Sequence, residues 1–306
     1  MNLQEMLTII IPVYNECDTV RPVIMQLIQV LKKAELVFEI IAVNDYSTDG
    51  TREIIENLHS EFPPLVRIIN HPYNKGNGAA VKTGIRAARG GIIACLDADG
   101  QHDPGDLVKM LPFMDDYDLV VGARTETYEG EWHRNFANRF YNALASWLTG
   151  FAIKDLTSGY RLFRASIIKK VAPLLPARFS YPTTSTLIFL KGGYNLKYVP
   201  IHVRPRQAGI SKIRIIRDGW RFFTIIFKIV LIYEPLRLFL PMAGLSFLLA
   251  LVSAGYSTWI LHSLRIPNSS VVLFVMGVLV LLLGFISEQI TSIQLLLRDD
   301  TEGDRS

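Results

Sequence analysis

Three oxygen-bearing side chains follow an apolar run near the end of the first hundred residues. Asp97, Asp99 and Gln101 come directly after residues 92–96, which read Ile-Ile-Ala-Cys-Leu. Two carboxylates and an amide oxygen at alternate positions of one loop are hard donors, which suit Mg²⁺ or Mn²⁺ shared with substrate phosphates. Such a metal would stabilise a diphosphate leaving group as its bond breaks. The segment also fits an acidic turn that caps a helix beginning at Pro104, so both interpretations stay open at this point.

Apolar runs and helix-length segments alternate through the first 125 residues and would position this loop. We predict strands at 7–13, 38–44, 66–70, 92–96 and 119–123, and helices at 19–34, 51–59, 78–89 and 104–114. This alternation, with strands that are apolar at every position, predicts an α/β fold with a mostly parallel sheet covered on both faces. Ligands of such sheets bind beyond the carboxyl ends of the strands. The polar segments that follow these strand ends are 14–16, 45–50, 74–76 and 97–103.

Composition and glycine patterns exclude several classes of protein. The 306 residues are 50% hydrophobic and include 21 Gly, 15 Pro and 2 Cys, which excludes disordered, collagen-like and disulfide-stapled chains. No Gly-x-Gly-x-x-Gly follows the first strand, and no Gly-x-x-x-x-Gly-Lys-[Ser/Thr] occurs anywhere. The sequence therefore supports neither a dinucleotide redox cofactor nor a P-loop.

Two long uncharged segments lie near the C-terminus. Residues 238–264 and 266–287 contain no Asp, Glu, Lys or Arg, and each exceeds the roughly 20 residues that a helix needs to cross a bilayer core. We predict a two-pass transmembrane hairpin. A pair of buried soluble helices is the alternative, but neither segment has the polar face of a helix packed at a protein surface.

The net charge of +4 arises just before the predicted hairpin. Residues 1–203 carry equal numbers of basic and acidic side chains, whereas residues 204–237 carry six more basic than acidic ones. Positive residues flank spans on the cytoplasmic side, so we predict a cytoplasmic N-terminal domain and cytoplasmic termini. The N-terminus has no basic segment, so we predict no signal peptide.

A basic stripe in an apolar segment predicts an amphipathic helix in the membrane interface, with a solvated helix face as the alternative. Its residues are Arg214, Arg217, Arg221 and Lys228.

Six motifs occur in the order that is typical of one enzyme family. They are residues 12–16 (Pro-Val-Tyr-Asn-Glu), 44–51 (Asn-Asp-Tyr-Ser-Thr-Asp-Gly-Thr), 74–78 (Asn-Lys-Gly-Asn-Gly), 97–104 (Asp-Ala-Asp-Gly-Gln-His-Asp-Pro), 121–124 (Val-Gly-Ala-Arg) and 157–161 (Thr-Ser-Gly-Tyr-Arg). Over nearly its whole length the chain resembles the family 2 inverting glycosyltransferases with a GT-A fold. Within that family it resembles the dolichyl-phosphate mannose synthase and bacterial polyprenyl-phosphate glycosyltransferase branch. The resemblance implies a GT-A domain at 1–210 with a mixed, mostly parallel sheet, an amphipathic helix at 211–235, a two-span hairpin at 236–298 and an acidic tail at 299–306.

The resemblance also implies which residues bind the donor, a nucleotide-diphosphate sugar. These are Pro12, Tyr14, Glu16, Asp45, Lys75, Asp97, Ala98, Arg206 and Lys212, the last two in a segment that closes over the donor. Asp99 and Gln101 would bind Mg²⁺ or Mn²⁺. Asn44 stands where many members have Asp, so the sequence does not predict whether the donor carries UDP or GDP.

A second group of residues would bind the acceptor, a lipid phosphate. Arg124 would lie between the donor and acceptor phosphates. Arg134 and Asn138, one helical turn apart, match positions that hold the acceptor phosphate, although the family often has Ser where Asn138 stands. The alternative for Arg134 is a solvated helix charge. On this reading Asp99, Arg124 and Arg134 are the catalytic residues.

The expected activity is transfer of a hexose to polyprenyl phosphate, undecaprenyl or dolichyl, on the inner face of the cell membrane and with inversion. A lipid monophosphate is already mostly ionised at neutral pH, so the site needs cations and geometry rather than a base. Partners would be the nucleotide sugar, the lipid and the membrane, with a homo-oligomer left open and no nucleic acid expected. The alternatives are a processive polysaccharide synthase, whose Gln-x-x-Arg-Trp segment is absent, and a catalytically silent membrane scaffold.

Overall fold

The computed structural model describes residues 6–124, 132–177, 180–203, 224, 227, 230–231, 234–261 and 266–303. Of residues 132–138, 140, 148, 261 and 292–303 it describes the backbone alone. The chain divides into two compact units, residues 1–225 and 226–306. Each unit is described by itself.

The first unit contains a seven-stranded sheet among its described residues. Its strands are β1 (Leu7–Val13), β2 (Phe38–Asn44), β3 (Val66–Asn70), β4 (Ile92–Cys95), β5 (Leu119–Arg124), β6 (Arg161–Arg164) and β7 (Leu196–Ile201). Its helices are α1 (Val20–Lys33), α2 (Thr51–Glu61), α3 (Asn77–Ala87), α4 (Pro104–Met110), α5 (Trp132–Thr149), α6 (Ala165–Val171) and α7 (Tyr181–Lys191). Short 3₁₀ helices follow α4 at Leu111–Asp115 and α6 at Ala172–Leu174.

The order of the strands determines where ligands can bind. The order is β3-β2-β1-β4-β6-β5-β7, and only β6 runs antiparallel to its neighbours. Because the chain places β2 on one side of β1 and β4 on the other, a crevice forms at the carboxyl ends of β1 and β4. Since β6 runs in the opposite direction, the segment that leads into it lies at this same edge, between the ends of β4 and β5.

The inner strands are buried on both faces, as predicted. Alternate side chains of a strand point to opposite faces, and accordingly Ile9 and Ile11 join one buried cluster while Ile10 joins the other. The five predicted strands agree with β1–β5 to within one residue, and the predicted α/β class with a mixed, mostly parallel sheet is confirmed. The helix predicted at 104–114 instead ends at Met110, because Pro112 has no backbone N–H to continue it.

The second unit is a helical hairpin of α8 (Leu236–Leu261) and α9 (Asn268–Gly303). Both helices are long and apolar enough to cross a membrane, over Leu236–Ile260 and Asn268–Thr291. Only 11% and 17% of their most apolar windows are buried, whereas the buried helices of a soluble core would be mostly enclosed. Large apolar side chains such as Leu251 and Trp259 are instead more than 70% exposed.

Small residues form the contact between the two helices. Ser270, Gly277, Gly284 and Thr291 lie seven residues apart on α9, and all four are buried. A Cβ atom at Gly277 would lie 2.6 Å from the Phe247 ring, and one at Gly284 would lie 2.8 Å from Phe239 Cβ. Glycine at these positions therefore lets α8 approach α9 closely, as small residues do in membrane helix pairs. We call this row of four residues the small-residue seam.

Candidate active site

The loops after β1 and β2 lie side by side at the carboxyl edge and are hydrogen-bonded to each other. The amide of Asn15 donates to Ser47 Oγ (3.0 Å), and the amide of Thr48 donates to Asn15 Oδ1 (2.9 Å). Asn15 and Tyr46 adopt left-handed backbone conformations, with φ of 55° and 67°. Non-glycine residues rarely occupy this region, and where they do the site is often functional.

Three of the predicted nucleoside-binding residues lie on or beside the first of these loops. Pro12 is a partly buried residue of β1, and Tyr14 is 38% exposed at its end. The Glu16 carboxylate accepts a hydrogen bond from Thr19 Oγ1 (3.0 Å), and its amide donates to Thr51 Oγ1 (3.0 Å). The structure thus brings Pro12, Tyr14 and Glu16 together beside the crevice.

The Asp45 carboxylate makes hydrogen bonds within the chain. Its buried carboxylate accepts hydrogen bonds from the amides of Lys75 (2.8 Å) and Gly76 (2.7 Å), and His71 Nδ1 lies 2.7 Å from the same Oδ1. The second His71 nitrogen lies 2.9 Å from Thr83 Oγ1. Asp45 therefore anchors the 71–76 loop, and a direct contact with the nucleoside stays a prediction. The anchoring His71 was not identified from the sequence, where it lies three residues before the nearest motif.

Lys75 and Asn44 occupy the neighbouring strand ends. The Lys75 ammonium lies 5.4 Å from the centroid of the exposed Tyr73 ring, on the loop that Asp45 anchors. Asn44 Nδ2 donates to Asn70 Oδ1 (2.9 Å), which joins the ends of β2 and β3. An amide can donate here, which an ionised Asp could not.

The acidic loop after β4 carries two partly exposed carboxylates. Asp103, not Asp97 or Asp99, caps α4: its Oδ1 accepts from the amide of Gly105 (2.8 Å). Asp97 and Asp99 are partly exposed, and Asp99 Oδ1 accepts from the amide of Gln101 (3.1 Å). Ala98 between them is buried in the core and fixes the loop from below. The capping interpretation of this segment thus applies to Asp103 alone.

The donor set suits a metal that is shared with substrate. No three His, Cys, Asp or Glu side chains among the described residues converge on a closed metal cage. Mg²⁺ usually takes one or two protein carboxylates and completes its shell with phosphate oxygens and water, so Asp99 and Gln101 fit it. The ring of His102, next in sequence, packs at a tilt against Tyr160, with 4.8 Å between the ring centroids, and burial lowers the pKa of His102 to about 4 against the opposing charge of Asp99. Its ring is therefore neutral at pH 7.

Arg124, at the end of β5, is held by a carboxylate that sequence reasoning missed. Arg124 Nε and Nη2 donate to the two oxygens of Asp155 (2.8 and 2.9 Å), and Nη2 also donates to Thr157 Oγ1. Burial by itself raises the pKa of Asp155, but the hydrogen bonds and charge of Arg124 outweigh this effect, so the pKa lies below its ordinary value. Asp155 lies two residues before the 157–161 motif, which was the signal that could have drawn attention to it.

The segment that holds Arg124 also touches the acidic loop. A Cβ atom at Gly159 would lie 2.8 Å from Asp97 Oδ2, so only glycine lets these two segments of the chain approach this closely. The 155–159 segment is fixed from behind by Arg161, whose side chain is fully buried and donates to the carbonyl oxygens of Ser158 (2.6 Å) and Leu156 (3.3 Å). Arg161 also donates hydrogen bonds to two hydroxyl groups of α7. One short segment thus positions both the Arg124 guanidinium and a carboxylate of the acidic loop.

The side chains of four predicted substrate-binding residues lie outside the described part of the chain, as does the predicted basic stripe of Arg214, Arg217, Arg221 and Lys228. Arg134 and Asn138 lie in α5, where the backbone alone is described, and Arg206 and Lys212 lie outside the described residues. Their assigned roles stay predictions.

Comparison with known proteins identifies the family. The Glycosyl transferase family 2 model matches residues 8–172, more than half of the chain, and the GtrB C-terminal hairpin model matches residues 234–293. The chain belongs to glycosyl transferase family 2, as its motifs predicted. Its catalytic unit has the GT-A fold. It resembles the crystal structure of glucosyl-3-phosphoglycerate synthase from Mycobacterium tuberculosis with Mn²⁺, UDP-glucose and phosphoglyceric acid, with a TM-score of 0.59 at 16% identity over 74% of this chain and 80% of that one.

Two curated relatives are similar in sequence. The chain is 32% identical over 167 residues to the dodecaprenyl-phosphate galacturonate synthase of Rhizobium johnstonii. This match covers 54% of this chain and 49% of that relative. It is 27% identical over 214 residues to the polyprenol monophosphomannose synthase of Mycolicibacterium smegmatis, covering 67% and 79%. The match to the galacturonate synthase thus spans about half the length of that relative.

Proposed function

We propose that the protein transfers a hexose from a nucleotide-diphosphate sugar to a polyprenyl phosphate. One observation carries the proposal: the 155–159 segment holds the Arg124 guanidinium through Asp155 and touches Asp97 through Gly159. The Arg124 guanidinium and the proposed metal-binding loop are therefore fixed beside each other at the carboxyl edge of the sheet. Two anionic substrates, a diphosphate and a monophosphate, need this combination. The relatives named for dodecaprenyl-phosphate and polyprenol substrates support the lipid acceptor.

The acceptor phosphate would act as its own nucleophile. It is mostly a dianion at neutral pH, so no side chain has to remove a proton. Arg124 presents its fork bidentately to Asp155, and Arg134 and Asn138 of α5 are proposed to bind the acceptor phosphate. Arginine suits this task because its planar fork matches phosphate oxygens. A phosphate oxygen would attack the anomeric carbon in line with the leaving diphosphate, which inverts the configuration at that carbon.

The donor would lie across the ends of β1, β2 and β4. Pro12, Tyr14, Glu16, Asp45 and Lys75 would form the nucleoside side of the site, with Arg206 and Lys212 closing over it. Asp99 and Gln101 would hold Mg²⁺ or Mn²⁺, which would stabilise the charge that develops on the diphosphate. Asp97 and Ala98 would lie against the ribose and diphosphate. The GT-A structure solved with Mn²⁺ and UDP-glucose supports a divalent metal.

The hairpin would anchor this unit in the membrane that carries the lipid. We propose a catalytic domain at 1–210, an interfacial helix at 211–235, two spans within 236–298 and a tail at 299–306. The basic excess at 204–237 supports a catalytic domain and both termini on the cytoplasmic side. There the same positive charge would also attract anionic lipid head groups.

The direct test is product formation in membranes that contain the full chain. Radiolabelled UDP- and GDP-sugars are added with polyprenyl phosphate, and label is counted in the organic phase. We expect lipid-linked label with one of the donors and its loss in EDTA. Asp99→Asn should lower turnover at least 100-fold, since it removes a charge from the metal site. Asp116→Asn, which changes an exposed carboxylate, is the matched control.

The same assay separates the alternatives. Label in precipitated polymer would identify a processive synthase. Absence of any labelled product with all donors, together with no nucleotide binding, would identify a scaffold and refute the proposed function. Full turnover in EDTA or in Asp99→Asn would refute the metal assignment alone.

A further inference from the structure

Tyr46 has a backbone conformation that its residue type disfavours. Its φ is 67°, in the left-handed region, where the Cβ of an L-residue clashes with the following carbonyl oxygen. Glycine is the default residue at such positions because it has no Cβ. A bulky aromatic residue there is a genuine outlier, so its side chain needs an explanation.

The surrounding loop holds Tyr46 in this conformation. The amide of Ser47 donates to Asn44 Oδ1 (3.0 Å), which closes a turn around Tyr46. Asn15, on the loop after β1, accepts from the amide of Thr48 and donates its own amide to Ser47 Oγ. Hydrogen bonds on both sides of Tyr46 thus fix the turn and the place from which the ring projects.

Folding does not account for the choice of tyrosine. The Tyr46 side chain is 51% exposed, so it contributes little to the core. Within the described part of the chain its hydroxyl has no hydrogen-bond partner. Among the described residues, neither packing nor a hydrogen bond of the side chain offsets this strain, whereas a ligand packed on the exposed ring would offset it.

The position of Tyr46 indicates which part of a ligand it meets. It directly follows Asp45, which anchors the Lys75 loop, and it lies beside the loop that carries Tyr14. These elements form the nucleoside side of the proposed donor site. We propose that Tyr46 contacts the donor nucleoside and packs its ring against the planar base. This inference rests on the proposed function.

The test compares two tyrosine variants with a control that shares the backbone conformation. Glu35 also adopts a left-handed conformation (φ 54°) and is exposed, but it lies between α1 and β2, at the opposite edge of the sheet. Tyr46→Gly and Glu35→Gly should each raise the Tm of the purified full chain by about 2–4 °C, because glycine adopts this backbone without strain. Binding of UDP and of GDP, each with Mn²⁺, is measured by calorimetry on the same samples.

We expect Tyr46→Gly to weaken nucleotide binding about tenfold or more, the usual effect of removing an aromatic ring from beneath a base. Glu35→Gly should bind as the wild type does, and Tyr46→Phe should keep most of the affinity because the ring remains. Stability and affinity would then change in opposite directions at Tyr46 alone. Wild-type affinity in Tyr46→Gly would overturn the inference and leave the proposed function intact. A wild-type chain that binds neither nucleotide would refute both.

Discussion

Replacing Asp155 by Asn tests whether the pairing of Arg124 matters for turnover. The two Asp155 oxygens accept hydrogen bonds from Arg124 at 2.8 and 2.9 Å, and the Asp155 side chain is almost completely buried. In Asp155→Asn one oxygen becomes an NH₂ group, so a donor faces a donor of the guanidinium. The remaining amide oxygen can still accept from the amides of Thr157 and Ser158, as Oδ1 does now (3.1 Å each). The loop therefore keeps its backbone contacts while Arg124 loses its orientation.

The expected size of the effect follows from this geometry. Removing one partner of a buried ion pair costs roughly 3–5 kcal/mol, and the retained backbone contacts place this variant near the lower limit, at about 3 kcal/mol. At about 2–4 °C per kcal/mol for a unit of this size, the Tm should fall by about 6–12 °C. A reacting group displaced by about 1 Å costs on the order of 100-fold in rate, so turnover should fall by about that factor.

The stability difference should depend on pH in a defined direction. The pKa of Asp155 is lower in the folded protein than its ordinary value, which is about 3.9. The pair therefore stabilises the fold fully above about pH 4, and this contribution is lost as the pH falls through the folded pKa. Thermal unfolding from pH 7 downward should show the Tm values of wild type and Asp155→Asn converge below about pH 4.

Asp118→Asn is the matched control for this prediction. Asp118 pairs with Arg164 (3.2 Å) and accepts from the amide of Asn195 (3.0 Å), at the other edge of the same sheet. This pair is more exposed than that of Asp155, so its loss should cost about 1 kcal/mol or less and leave turnover unchanged. Wild-type turnover in Asp155→Asn, assayed well below its Tm, would refute the reasoning. Equal losses of turnover in the two variants would refute it as well.

Three further variants probe other parts of the structure. Gly159→Ala would place a Cβ 2.8 Å from Asp97 Oδ2, so calorimetry should show Mn²⁺-dependent nucleotide binding weakened about tenfold. Gly277→Leu would force a side chain into the Phe247 ring, which lies 2.6 Å from the Cβ position, so the Tm in detergent should fall by several degrees. Glu39→Gln removes the charge of a buried carboxylate that pairs with an arginine at the opposite edge of the sheet, so stability should fall by about 2 kcal/mol with turnover unchanged.

Each of these three predictions has an outcome that would contradict it. For the two glycines the controls are Gly244→Ala and Gly255→Leu, where no atom lies within 4 Å of the added Cβ. An equal loss of nucleotide binding in Gly159→Ala and Gly244→Ala would refute the steric argument for Gly159. An equal fall of the Tm in Gly277→Leu and Gly255→Leu would refute it for Gly277. Loss of turnover in Glu39→Gln would contradict the assignment of the site to the carboxyl edge.

The sequence was most informative where the burial pattern is uniform. β1 and β2 are mostly apolar and are buried almost throughout, so their bounds could be predicted. β6 has arginine at both ends and only two apolar residues between them, and it pairs with strands that lie far away in the sequence. Its local sequence therefore resembles a polar loop. α7 was missed for another reason: its residues are buried on all sides, so it has no amphipathic period.

The sequence predicts the residues of the candidate site but only some of the contacts between them. The acidic loop was predicted from residue types and spacing, because metal ligands of one loop are close in sequence. The pairing of Arg124 with Asp155 joins residues 31 positions apart through the antiparallel strand, and nothing local to either residue signals it. Likewise, the sequence could not show that Asp45 accepts from two amides of its own chain and contacts His71, since these groups belong to the loop after β3.

The small-residue seam limits how the hairpin can change in length during evolution. Its four residues recur at intervals of seven, so inserting one residue would turn the rest of the row by about 100° and replace small residues with large ones at the contact. An insertion of seven residues preserves the row but lengthens the helix by about 10 Å. Bilayers differ in thickness by only a few ångströms. A hairpin that spans the membrane, as proposed, would therefore adapt to a thicker or thinner bilayer by tilting rather than by changing its length.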